Sequence, residues 1–551
     1  MKTIIVGGVA GGMSAATRLR RLDESAEIVI YEQGPYVSFA NCGLPYFIGG
    51  IIDKRSALLL QTPESLASRF NLDVRTNARV ESIDPSTRTV TVRHVQSGEI
   101  TTDSYDALIL SPGAKPRVLD IPGFDRALTL RNVPDADRIV EAIGAKDNQN
   151  VVILGAGFIG IEVAENLRHA GHSVTIVQSQ SQVLPQFDIE MIEPFQRTLE
   201  ENGVALVLGQ TAMGITDDSV ALSDGRSIPA DIVISSVGVV PDHELAVEAG
   251  LRIGDAGGIW VDEHQRTSDP NIYAVGDAAE KVNSATGDSS MVWLANLANR
   301  HGRLVADVVA GETVSARPSI GTGIIGAFGM VAAVTGVTES TARRAGLAHS
   351  VIHLHPGSHA GYYPGSETIA LKVVFHPVTG VLLGAQAVGR DGADKRIDVI
   401  ATAIYAGLTI DDLMNLELAY APQFGSAKDA INQAGYVGNN VLAGRTPTVQ
   451  WHEIDSRVAD GAIILDVRTD SENSAASIPG STHIPVDSLR DRLGELPRDR
   501  ELIIHCKVGQ RGHTATQILR SNGFNAINLD GGYLTWNDGT LARERTTSLD
   551  S

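Results

Sequence analysis

Thr3-Ile4-Ile5-Val6-Gly7-Gly8-Val9-Ala10-Gly11-Gly12 decides how this chain begins to fold. An unbroken apolar run predicts a strand buried on both faces, as in a parallel sheet. The glycine loop after it opens a helix over Met13–Arg21. A second strand, Ile28–Tyr31, ends at Glu32, 20 residues beyond Gly12. Glycines at this turn let the backbone approach a pyrophosphate at a helix N-terminus, and an acid at that distance can accept hydrogen bonds from a ribose. Val9 stands where the fingerprint has its middle glycine, so this copy is imperfect. A second copy is complete: strand Val151–Leu154, the loop Gly155-Ala156-Gly157-Phe158-Ile159-Gly160, then strand Ser173–Val177 ending at Gln178. One such loop is weak evidence. Two in one chain predict two Rossmann-like domains and two bound dinucleotides.

The 551 residues exceed what one hydrophobic core supports, so several domains are expected. A net charge of −20 argues against nonspecific binding to nucleic acid or anionic membrane. Pro318–Thr338 carries no charge and is long enough to span a bilayer. Five glycines among its small residues favour buried strands with tight turns instead. No long apolar stretch precedes Gly7, so no secretory signal is expected. The only two cysteines, Cys42 and Cys506, cannot form a disulfide framework. A reducing, cytoplasmic setting follows.

Strands with glycine turns at Ala107–Ala114, Val237-Gly238 and Ser268–Ala278 interrupt the nucleotide domains. From about residue 325 the pattern becomes α+β, with strands Thr368–Phe375 and Leu382–Val388 and helices Arg396–Ala406 and Ile410–Leu416. Asn439–Thr448 reads as a linker. Beyond it Ile463–Arg468, Leu502–Cys506, helix Thr514–Ser521 and Ala526–Leu529 form a separate small α/β unit. The expected division is 1–115 with 245–325, then 116–244, 326–440, a linker at 441–447, and 448–551.

Cys42 sits in Ser38-Phe39-Ala40-Asn41-Cys42-Gly43-Leu44-Pro45-Tyr46, a polar loop soon after the first fingerprint. A lone cysteine is often a small hydrophobe; this context favours a redox thiol. With no second cysteine nearby, its partner must be an external thiol. Cys506 lies between a strand and a helix N-terminus, where backbone N–H groups and the helix dipole favour a thiolate, with Lys507 and Arg511 adding positive charge. The scattered histidines, including His353, His355 and His359, suggest no metal site.

Through Val6–Gly12, Ser38–Tyr46, Gly155–Gly160, Tyr273–Asp277 and Glu417–Pro422, residues 1–440 resemble the pyridine nucleotide–disulfide oxidoreductases, in particular the single-cysteine coenzyme A-disulfide reductase branch. Through Asp466-Val467-Arg468 and Cys506–Arg511, residues 448–538 resemble a rhodanese domain. The combination is similar to rhodanese-fused members that reduce CoA-disulfide, persulfide and polysulfide. The fold implied is α/β: two Rossmann-like domains for FAD and NAD(P)H, an α+β dimerisation domain and a C-terminal rhodanese domain.

The resemblance implies FAD at Gly7, Gly12, Glu32 and Asp277, and NAD(P)H at Gly155, Gly157 and Gly160, with Glu162 near the nicotinamide. Gln178 departs from the acid expected for NADH, yet no arginine follows for a 2′-phosphate; NADH is the leaning. Ser38 and Asn41 match positions that contact sulfur or the CoA arm, and Arg18 and Arg21 match phosphate contacts, with a solvated helix face as the lesser alternative for the arginines. Tyr420 and a second tyrosine, Tyr362 in preference to its neighbour Tyr363, match residues that reach the partner subunit's cysteine in a homodimer. A phenol there can donate a proton to a leaving thiol. Cys506 and Arg511 would handle sulfane sulfur.

The resemblance therefore implies a cytoplasmic homodimeric enzyme that acts on small-molecule disulfides, persulfides or polysulfide with FAD, NADH (or NADPH) and coenzyme A, without nucleic acid or membrane. An NADH oxidase or peroxidase cycling through Cys42 sulfenic acid is the alternative; Ala10 replaces the histidine of the peroxidase relatives. A CoA-binding redox sensor or sulfur carrier is the alternative of another class.

Overall fold

The computed structural model describes every residue except Ala145 and Ser551. Two compact units result: Met1–Val177 with Gln210–Gly321, and Gln178–Gly209 with the chain from Thr322 onward.

In the first unit, the strand Lys2–Val6 lies between Glu27–Tyr31 and Ala107–Leu110, with Asp73–Arg75 and Ile272–Ala274 outermost, all parallel. A second parallel sheet runs Ser173–Gln178, Asn150–Leu154, Ile232–Ser235, Leu128–Thr129. The apolar strands beside each glycine loop are buried along almost their whole length, as a sheet covered on both faces requires. The first helix begins earlier than the sequence suggests, at Ala10, because Gly11 and Gly12 sit within its first turn. Gly12 has no room for a side chain: a Cβ would stand 1.9 Å from the Gly7 carbonyl oxygen, and Gly160 repeats this at 2.1 Å from Gly155. Gly7 and Gly155, at φ +100° and +101°, are in the region that favours glycine.

In the second unit, an antiparallel sheet runs Gly323–Ala327, Met330–Gly336, Leu382–Gly389, Ala370–Phe375, Ser350–Leu354. The uncharged stretch Pro318–Thr338 thus supplies a hairpin, and no helix among the described residues is long and apolar enough to cross a membrane. Helices Ala393–Tyr405 and Ala430–Leu442 share this sheet's apolar core. The helix expected at Ile410–Leu416 is only the 3-10 turn Asp412–Asn415, whose Asp412 carboxylate accepts the Thr409 amide at 2.8 Å. A five-stranded parallel sheet follows, ordered Thr448–Val449, Ala526–Leu529, Leu502–His505, Ile463–Asp466, Thr482–His483. The expected linker is no free tether. Its first residues finish the helix Ala430–Leu442, and Arg445 and Thr446 are bonded to Gln517 and His513 of helix Gln510–Ser521. The last helix, Gly532–Asp550, packs along Ile189–Glu201 through Arg545 with Glu193 and Glu200, and Arg197 with Asp538.

Candidate active sites around Cys42 and Cys506

The first glycine loop opens onto a cavity of about 680 Å³, lined among others by Gly7, Gly11, Glu32, Asn41, Ser111 and Asp277. Glu32 takes the Gly8 amide at 2.9 Å and the Gly34 amide at 2.7 Å. Its carboxylate therefore shapes the loop and also faces the cavity. The glycine cradle, the acid at its rim and a volume within the usual ligand-pocket range fit a large dinucleotide such as FAD. Asp277 lies in the turn Gly276–Ala278, and the buried Lys281 ammonium clamps that turn by donating to the carbonyls of Gly276 and Ala279. Burial pushes the Asp277 carboxyl up and brings Lys281 down to about 8. Nothing in the sequence marked Lys281.

The chain reaches Cys42 through Ser38, whose left-handed backbone (φ 47°) is unusual for serine and costs about 1–2 kcal/mol. Its amide donates to the Gly8 carbonyl at 2.8 Å, which fixes the bend. Asn41-Cys42-Gly43 then forms one 3-10 turn ahead of the short helix Leu44–Ile48. The Cys42 thiol is exposed, 3.9 Å from Asn41 Oδ1. Helix Leu44–Ile48 packs on the helix of the second fingerprint, Phe158–His169. A Cβ on Gly49 would stand 2.5 Å from the side chain of Asn166, so the two helices meet closely.

This contact puts the Tyr46 hydroxyl 3.5 Å from Glu162 Oε1. Burial, and then the charge of Glu165, raise Glu162 to about 7, against the hydrogen bond from Tyr46. Partial desolvation, then Glu162 and Asp277, push the Cys42 thiol above its ordinary value. Three motifs far apart in sequence therefore converge on one sulfur. In the second glycine loop Gly157 is uncrowded: a Cβ there would meet no atom within 4 Å, which leaves room beside the helix N-terminus.

Arg18 and Arg21 are not free cations. Arg18 Nε donates to Asp307 Oδ1 at 2.6 Å, and Arg21 folds back on Thr17 and lies 5.9 Å from the Phe70 ring. Neighbouring Arg20 is buried, bonding the carbonyls of Asp23, Glu24, Phe70 and Asn71, and is purely structural.

In the second unit, Tyr362 and Tyr420 are exposed, and their hydroxyls share a 2.8 Å hydrogen bond. That bond raises Tyr362, followed by slight desolvation. Tyr363 instead meets the His359 ring edge-on at 5.6 Å, so the pairing distinguishes the two neighbours that the sequence barely separates.

Cys506 is fully buried among Leu465, Val467, Ile504 and Ala515. The Arg511 guanidinium is close enough to feel the charge of Cys506 and is gripped by Glu472 through two bonds of 2.7 and 2.8 Å. Glu472 raises the guanidinium, and Arg511 holds the Glu472 carboxyl down at about 2. Glu472 was missed from sequence, although its capping box with Thr469 is visible there. Lys507 is exposed.

The three histidines have other partners than a metal. His353 bridges Asp530 (2.7 Å) and Glu190 (3.1 Å), His355 meets Thr535 Oγ1 at 2.8 Å, and His359 meets the Ala360 carbonyl at 3.2 Å. The carboxylates of Asp188, Glu190 and Glu339 do converge as metal ligands might, but the Lys372 ammonium lies among them at 2.9, 2.5 and 2.6 Å.

Three family models match the chain. One described as pyridine nucleotide-disulphide oxidoreductase covers residues 1–295, its dimerisation domain covers 327–431, and a rhodanese-like domain covers 450–538. A curated coenzyme A disulfide reductase of Staphylococcus aureus is 35% identical over 79% of this chain and 99% of its own length. Among solved structures, reduced CoADR-RHD of Bacillus anthracis is 44% identical with a TM-score of 0.97, covering 98% of both chains. An NAD-dependent persulfide reductase of A. fulgidus is 35% identical with a TM-score of 0.91, covering 97% of this chain and all of its own.

Proposed function

Because the chain belongs to the pyridine nucleotide-disulphide oxidoreductases, we propose that it is a cytoplasmic homodimer that uses NAD(P)H, with NADH preferred, to reduce CoA persulfide, polysulfide and CoA-disulfide. In this reading residues 1–115 with 245–325 hold FAD, 116–244 hold the nicotinamide nucleotide, 326–440 form the dimer and 448–551 handle sulfane sulfur. The observation that carries it is a solitary, solvent-reachable thiol at Cys42, facing Glu162 and Asp277 beside a glycine-cradled cavity.

The Cys42 thiolate attacks the thiol-side sulfur of a CoA persulfide. The S–S bond breaks, hydrosulfide leaves with its electron pair, and a Cys42–S–S–CoA mixed disulfide remains. With CoA-disulfide the same attack releases CoA thiolate. FAD, when bound, supplies the two-electron relay from nicotinamide to sulfur. Gly7, Gly12 and Glu32 hold the FAD pyrophosphate and ribose, Asp277 its ribitol, and Gly155, Gly157 and Gly160 the nicotinamide nucleotide. Ser38 and Asn41 orient the CoA arm. Arg18 and Arg21 approach its phosphates, which requires Arg18 to use the guanidinium edge not given to Asp307. The Tyr362–Tyr420 pair of the partner subunit delivers the proton to the departing CoA thiolate.

At the second centre Cys506 takes sulfane sulfur from a donor, with Arg511 neutralising the anionic persulfide, and passes it to a small thiol or towards Cys42. NADH and NADPH consumption with CoA persulfide, CoA-disulfide, glutathione persulfide, polysulfide, peroxide and oxygen, in wild type, Cys42→Ser and Cys506→Ser, tests the reading. Turnover dominated by oxygen or peroxide would replace it with the oxidase chemistry. Binding of CoA without any turnover would replace it with a sensor.

A further inference from the structure

The Cys506 loop is held from behind by backbone. Tyr533 N donates to the Cys506 carbonyl at 2.8 Å, and Leu534 N to the Lys507 carbonyl at 3.1 Å. Gly532 fits so tightly that a Cβ would stand 2.5 Å from the Cys506 oxygen and 2.7 Å from the Gly509 nitrogen. Wherever the turn Asp530-Gly531-Gly532 sits, the sulfur-bearing loop must follow.

That turn is anchored from outside the rhodanese-like domain. Asp530 Oδ2 accepts the His353 amide at 2.9 Å and faces His353 Nδ1 at 2.7 Å, with Gln450 Nε2 at 3.2 Å. His353 belongs to Ser350–Leu354, the edge strand of the antiparallel sheet. Its Nε2 lies 3.1 Å from Glu190, which also takes the Lys372 ammonium. A Cβ on Gly531 would be 2.7 Å from the His353 Cβ. His353, Asp530, Glu190 and Lys372 are all buried. With a carboxylate at each nitrogen, the ring satisfies both only by donating from both, as an imidazolium.

We infer that His353 is a positioning residue for sulfur transfer at Cys506, clamping the loop-bearing turn to the dimerisation sheet through the bridge Glu190–His353–Asp530. This rests on the proposed sulfur-transfer role of Cys506. The charged and titratable groups facing the bridge are Lys372 with Asp188 and Glu339 behind it, His355 just past the end of the strand, and Lys507 beyond His355. Burial pulls the His353 ring down, but its two carboxylates outweigh it and carry the group up to about 9. A raised folded-state value means the clamp is complete below the ordinary histidine value and is lost as pH rises through about 9.

The test loads Cys506 of the full-length holoenzyme with thiosulfate and follows persulfide by mass spectrometry. The Cys506 thiolate attacks the sulfane sulfur, the sulfur–sulfonate bond breaks and sulfite departs with the electron pair. His353→Gln and Asp530→Asn are expected to slow maximal loading by about tenfold while half-saturating thiosulfate shifts less than about twofold. Both should leave Cys42-dependent reduction of CoA-disulfide within about twofold of wild type. Wild type should show a falling alkaline limb centred near 9, absent from His353→Gln. Should His353→Gln fold poorly, Asp530→Asn decides in its place, and wild-type loading by it overturns the proposal. So does wild-type loading by a well-folded His353→Gln. If wild-type Cys506 accepts no sulfur, the functional reading fails instead, and iodoacetamide alkylation of Cys506 decides the clamp. Faster labelling in His353→Gln supports it and unchanged labelling overturns it.

Discussion

The two sulfurs of this chain stand in opposite surroundings. Cys42 is exposed on a single turn and faces two carboxylates, which with desolvation push its thiol up. Cys506 is buried and faces a guanidinium held by Glu472. The rhodanese-like site carries its own electrostatic support within one small domain. The Cys42 site does not. In the proposed reading a bound flavin and the partner's tyrosines favour its thiolate, beyond the backbone hydrogen bond at Cys42 itself. On that same proposed reading, one centre is finished by folding and the other by assembly.

The strongest challenge to that contrast is to remove each sulfur in turn. Cys42→Ser is expected to lower CoA-disulfide and persulfide reduction by more than about 10³-fold, while Cys506→Ser leaves CoA-disulfide reduction within about twofold, both read as NADH oxidation. Next comes the charge support at Cys506. Glu472→Gln should release the Arg511 fork and slow thiosulfate loading roughly tenfold without touching Cys42 turnover. If loading is unchanged, Arg511 is held by something other than Glu472.

At Cys42 the sign is reversed. Glu162→Gln removes a negative charge that disfavours the thiolate, so apo-protein Cys42 should be alkylated about threefold faster at pH 8. Glu162 titrates near 7, so the advantage should shrink as pH falls below that point and the wild-type carboxyl becomes neutral. An equal rate for both proteins at pH 8 breaks the electrostatic account. The phenols act on the proton instead: Tyr362→Phe and Tyr420→Phe should each slow disulfide turnover by about two- to threefold, and Tyr363→Phe hardly at all. A loss in Tyr363→Phe as large as in Tyr362→Phe would mean that the 2.8 Å pair is not the working unit.

Much of this was legible in the sequence because local geometry forces the residue. Gly12 and Gly160 have no alternative where a carbonyl lies about 2 Å from a would-be Cβ, so both nucleotide loops announce themselves. The Cys42 and Cys506 loops are likewise continuous in the chain. What escaped was what only packing creates. Tyr46 meets Glu162 because two helices touch at Gly49 and Asn166, and Lys281 reaches back to the turn of Asp277. His353 invited a question about metals, and its partners Glu190 and Asp530 lie more than 160 residues away on either side. The stretch 441–447 is bonded to Gln517 and His513, which its polar, glycine-bearing composition does not reveal.

The last helix carries a consequence for engineering and for gene fusion alike. One end of it braces the loop of Cys506 and the other is pinned by Arg545 to an element more than 300 residues earlier. The C-terminal portion is therefore not an interchangeable cassette. A foreign sulfurtransferase grafted in its place would import a thiol but none of the anchorage, so chimaeras should fail at the seam before they fail at the chemistry.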